Sequence, residues 1–73
     1  MDRRDLERIA RLDRAFDYLL EAAKELRTAE WLAERSGDRW AALDAGAVAR
    51  AVDAEAEVLN ALVRRAVRGD RAR

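Results

Sequence analysis

One stop-and-start signal divides this chain. Ser36-Gly37-Asp38 is the only turn-like cluster between two long helical patterns, in a 73-residue sequence with no proline. Gly37 suits the left-handed position that ends a helix, and Asp38 suits the cap of the next one. On either side, apolar residues recur at steps of three and four. The spacing predicts a helix over about 3–35, a turn at 36–38, a second helix over about 39–68, and a frayed basic tail at 69–73 after Gly69. Alanine is the commonest residue, and only a few valines favour strands. The fold class expected is all-α: a two-helix antiparallel hairpin in a single domain, 1–73.

Size then sets a problem. A chain this short sits below the length at which one core is comfortably stable. It has no cysteine for disulfides, and no histidine or cysteine for a structural zinc. Helix packing or oligomerisation must supply the stability. The N-terminal stretch lacks an apolar run of signal-peptide length, and no segment approaches the roughly eighteen apolar residues of a membrane span. A cytoplasmic protein, neither exported by a classical signal nor membrane-spanning, is expected.

In the first helix, Leu6, Ile9, Leu12, Phe16, Leu19, Leu20, Ala23 and Leu26 share one face, in a coiled-coil-like rhythm from Ile9. Asp17, Glu21 and Lys24 lie opposite. In the second, Val48, Val52, Val58, Leu59, Leu62, Val63 and Val67 are the large apolar residues. A ridge of Ala47, Ala51, Ala54 and Ala61 beside them is expected to admit a close neighbouring helix. Arg50, Asp53, Glu57, Asn60 and Arg64 read as the solvated side, and Gly46 as a soft point for a kink.

Two helices of about thirty residues would each be roughly 45 Å long. One seam between them leaves much apolar surface wet. The expected remedy is a homodimer of hairpins forming a four-helix bundle, with Ile9, Leu12, Phe16, Leu19, Leu26, Val52, Leu59 and Leu62 carrying self-association. The alternative is a monomeric three-helix bundle with a break near Thr28 or Gly46.

Three acids break the apolar pattern. Glu30 falls on the core line of the first helix, and Asp44 and Glu55 on that of the second. Folding at Gly37 would set Glu30 and Asp44 at one level, each seven residues from the turn. Two facing carboxylates require a cationic partner or raise each other's pKa. A carboxylate metal site is the rival reading, but the histidines of helical di-iron sites and any calcium-loop motif are missing. Charge supplies a partner. Residues 1–14 carry five arginines against four acids, 15–34 carry five acids against Lys24 and Arg27, and 63–73 carry five arginines against Asp70. An antiparallel dimer would bring Glu30 and Asp44 to Arg64, Arg65 or Arg68 of the other chain.

Catalysis finds little material. Without histidine or cysteine no such nucleophile–base pair exists, the lone Ser36 has no base, and Gly37, Gly46 and Gly69 form no phosphate loop. No catalytic residue, cofactor or metal is expected, and Tyr18 reads as a surface or interface aromatic. Trp31 and Trp40, either side of the turn, are expected to plug the closing end of the hairpin. The stretch around the turn has some look of a helix-turn-helix, but Asp38 and Gly46 fall where that motif wants apolar residues. In topology alone, the expected hairpin dimer resembles the small RNA-binding dimers of plasmid copy-number control.

The function expected from sequence is therefore non-enzymatic: a self-associating hairpin acting as a protein–protein interaction, scaffold or regulatory module. One alternative is a nucleic-acid-binding regulator that uses the arginine-rich open end, although zero net charge argues against it. Another is a designed bundle without natural function. Fourteen arginines to one lysine weigh against design.

Overall fold

The structure, a computed structural model, describes residues 2–71. It consists of α1 (Arg3–Ser36) and α2 (Arg39–Arg71), folded back on one another, with no strand among the described residues. Each end of α1 is chemically closed. Asp2 accepts hydrogen bonds from the Arg4 and Asp5 amides at 2.7 and 3.1 Å, satisfying donors that have no partner within the helix. At the other end Gly37 takes φ 81°, a left-handed conformation that glycine adopts without the clash a side chain would bring. Its amide donates to the Glu34 carbonyl at 3.2 Å and the Asp38 amide to the Ala33 carbonyl at 2.9 Å, the paired bonds of a Schellman cap. Asp38 then accepts from the Ala41 amide at 3.0 Å and opens α2. The chain reverses within three residues.

The seam between the helices follows a strict four-three spacing. On α1 the inward line is Ile9, Leu12, Phe16, Leu19, Ala23, Leu26, Glu30 and Ala33, all buried or half-buried. On α2 it is Ala42, Gly46, Ala49, Asp53, Ala56, Asn60, Val63 and Val67. Large side chains of α1 thus meet small ones of α2. That pairing lets the two backbones approach closely, as ridges seat in grooves only when the contact residues are small enough.

Several expectations change here. The small-residue line facing α1 is Ala42, Ala49 and Ala56 with Gly46, while Ala47, Ala51, Ala54 and Ala61 are exposed. Asp53 and Asn60 border the seam instead of the solvated side, because the seam runs through Ala42, Ala49 and Ala56 and not through Val48, Val52 and Val58. The helices are unbroken at Thr28 and at Gly46, which removes the three-helix alternative. α2 also passes through Gly69 to Arg71, since one glycine in a last turn weakens a helix without ending it. Arg73 lies outside the described residues.

The product is a rod of 55 × 16 × 11 Å with a radius of gyration of 16.5 Å. A compact chain of this length would have a radius of gyration of about 11 Å. One layer of two helices has no interior: Ala23, Ala42, Ala49 and Ala56 are its only buried hydrophobic residues, and no large side chain is fully buried among the described residues.

Candidate functional site

The two sides of the rod differ. Where the helices lie antiparallel, positions one step round from the seam on α1 and on α2 share a flank. On the first flank, Arg27 of α1 forms an ion pair with Asp53 of α2 across the groove. Glu30 reaches over the same groove onto the backbone of Gly46. A Cβ at position 46 would sit 3.0 Å from the Glu30 Cδ, with Arg50 Nη1 3.5 Å away. Gly46 therefore provides room for a carboxylate that would otherwise strike the helix. Beside the turn this flank also holds an open groove of about 310 Å³, lined by Glu30, Glu34, Gly37, Arg39, Ala42 and Leu43. Among the described residues no three acidic groups gather where they could hold a metal ion.

The second flank carries no such closure. On α1 it presents Leu12, Leu19 and Leu26, with Ala15, Ala22 and Ala29 one step further out. On α2 it presents Val52 and Leu59, half-buried, then Val48 and Leu62, which stay 49% and 42% exposed. Val58, 58% exposed, extends the patch round the outside of α2. Glu55 is the one charge within this stretch, and it is exposed.

The residues singled out from sequence distribute as follows. Ile9 and Phe16 lie deep in the seam, so they hold the hairpin itself together. Leu12, Leu19, Leu26, Val52 and Leu59 serve the seam with one side and the apolar flank with the other, and Leu62 belongs to the flank. Glu30 and Asp44 do not face each other. Asp44 lies two residues after Ala42, about 200° round the helix at 100° per residue, and is exposed on the outside of α2. The two tryptophans form no plug. Trp31 is 53% and Trp40 75% exposed, each one or two residues off the inward line. Trp31 instead lies under the Arg35 guanidinium, 4.9 Å from ring centre to Cζ, a surface cation–π contact.

Arg64, Arg65 and Arg68 are exposed at the open end, where the hairpin brings them alongside the start of α1. Residues 2–14 and 60–69 together hold eight arginines against four acids, while residues 25–44 at the closing end hold five acids against three arginines. Within the open end, Arg8 pairs with Asp5 at 3.7 Å and Arg11 with Glu7 at 3.4 Å. Ser36 donates to the Ala33 carbonyl at 3.0 Å, so its hydroxyl is spent on the helix end. Tyr18 stands exposed on the outside of α1.

The sidedness of α2 is what the sequence did not show: close approach was expected along Ala47, Ala51, Ala54 and Ala61, with Asp53 and Asn60 in solvent. The available signal was the strict recurrence of Ala42, Ala49 and Ala56 at seven-residue intervals. No family model, no characterised protein and no solved structure matches this chain. No helix among the described residues is long and apolar enough to cross a membrane.

Proposed function

We propose that the chain is a self-associating module, a helical hairpin that acts by binding in the cytoplasm and not by catalysis. The observation that carries this reading is its surface. A compact monomer of 8.3 kDa would expose about 4,600 Å², whereas this chain exposes 5955 Å². The excess is roughly 1,350 Å² per chain on that scaling. Two chains hiding it from each other would bury about 2,700 Å², inside the range of permanent homodimers. Nothing else in so thin a rod can cover the valines and leucines of the second flank.

An antiparallel dimer of hairpins, a four-helix bundle, satisfies the charge as well. It sets the acidic closing end of one copy beside the basic open end of the other, whereas a parallel dimer would stack like on like. Sedimentation equilibrium or light scattering over a range of concentrations tests the reading. A dimer is expected at micromolar chain concentration, and a compact, stable monomer at every concentration would overturn it.

The gathering of eight arginines at one end favours a second reading, in which that end binds nucleic acid through phosphate contacts. Such binding would weaken steeply with salt. A gel shift with duplex DNA and with RNA, run at two salt concentrations, checks it.

A further inference from the structure

The uncovered stripe of α2 reads nearly the same in both directions. Its centre is Glu55, which is also the middle residue of α2. Moving outward from Glu55, the stripe meets Val52 and Val58 three residues away, then Val48 and Leu62 seven residues away, and finally Asp44 eleven residues before and Arg65 ten residues after. Apolar balances apolar at each step, and the two ends carry opposite charges. That is the pattern a helix needs to pack antiparallel on a copy of itself about a twofold axis, where each contact occurs twice.

α1 offers an independent match. Its outward row on the same flank is Ala15, Ala22 and Ala29, centred on Ala22. Glu30 lies beside Gly46, and Ala22 is eight residues back from Glu30 while Glu55 is nine on from Gly46. Two antiparallel helices therefore carry their centres of symmetry at one height along the rod. A single twofold axis, perpendicular to the rod, can pass beside both.

We propose that a second copy docks on this flank antiparallel, α2 on α2 and α1 on α1, with the axis passing beside Glu55 and Ala22. This rests on the self-association reading and deepens it by fixing face, direction and register. Val48 of one copy then meets Leu62 of the other, and Asp44 and Arg65 approach each other along the outer margin of the interface at both ends. That placement gives Asp44 a cation to pair with at a position that Glu30 does not reach. The alanine row of α1 lets the two α1 helices approach closely, while the bulkier α2 pair fills the wider side. Glu55 becomes the weak point of the assembly. Two copies of it meet at the axis, and no lysine or arginine lies on the stripe between Asp44 and Arg65 to neutralise them. Mutual repulsion there restrains the strength of the dimer without blocking the folding of each hairpin.

Because the chain has no cysteine, disulfide trapping reports the geometry cleanly. Glu55→Cys is expected to give a covalent dimer under mild oxidation, about tenfold or more faster than Arg50→Cys, which sits on the opposite flank. Glu55→Leu, checked for helicity by circular dichroism, is expected to tighten the dimer on the order of tenfold or more by removing two facing charges. A dimer that traps at position 50 but not at 55, or at both equally, overturns the docking face and leaves self-association standing. Dimers of the unaltered chain that Glu55→Leu weakens overturn the placement of the axis. A monomer at all concentrations removes the underlying reading itself.

Discussion

The two flanks of the rod are built from the same pair of helices and end up with opposite chemistry. On one, Arg27 and Asp53 bridge the helices and Glu30 lies across Gly46, so polar groups span the middle of the groove within a single chain. On the other, Leu12, Leu19, Val52 and Leu59 reach the groove edge and stop, with Val48 and Leu62 beyond them still facing water. The difference follows from how the seam was made. By turning its alanines toward α1, α2 achieves close approach, but Val48, Val52, Val58, Leu59 and Leu62 are then left along or beyond one edge of the seam. Close packing inside the hairpin and an unfinished surface outside it are one decision.

Substitutions on each flank can break that comparison. Val52→Asp, on the apolar flank, is expected to weaken association by at least about a hundredfold, since a charge would enter the surface that the proposed dimer hides; sedimentation velocity reads the effect. Ala49→Leu tests the seam that both flanks share. Ala49 has no exposed surface, so the larger side chain must force the helices apart, lowering stability by about 1–3 kcal/mol in urea or thermal melts. Gly46→Ala acts on the charged flank with the opposite sign. Only the flexible end of Glu30 has to move aside, and alanine in a helix interior is favoured over glycine by up to about 1 kcal/mol. A raised melting temperature is expected; a lowered one would mean that the Glu30 contact is worth more than the helix propensity. Arg27→Ala should matter least. The Arg27–Asp53 pair is half in solvent, and exposed ion pairs contribute roughly 0–1 kcal/mol and fade with salt. A double-mutant cycle with Asp53→Ala at low and high salt measures it.

The hairpin was legible because its signals are local. Gly37 and Asp38 announce the turn through backbone chemistry that needs no tertiary context, and the three-four spacing of apolar residues suffices to specify helices. Which face of α2 turns inward was not legible in the same way. A helical wheel ranks faces by hydrophobicity, and by that measure the valine stripe wins. The seam was instead settled by fit against α1, whose Leu19 and Leu26 need small partners such as Ala56 and Ala49. For the same reason Asp44 and Glu55 read from sequence as lying on the core line of the second helix, and Asp53 as solvated. The tryptophans illustrate a different limit. Nearness to a turn in sequence says nothing about the angle at which a side chain leaves the helix, and Trp40 leaves it pointing outward.

The tight reversal at Gly37 has a kinetic side. Contacts near it join residues about ten apart in sequence, whereas those at the open end join residues nearly sixty apart, with correspondingly greater loop-closure entropy to overcome. The hairpin should therefore zip from the turn and fray from its ends, with amide exchange slowest around Ala42 and Ala49 and fastest beyond Val63. In an antiparallel pair, the persistent end of each chain lies along the fraying end of the other. Each copy would then act as a splint for the region its partner holds least well, and protection of the first and last helical turns from exchange would rise with concentration.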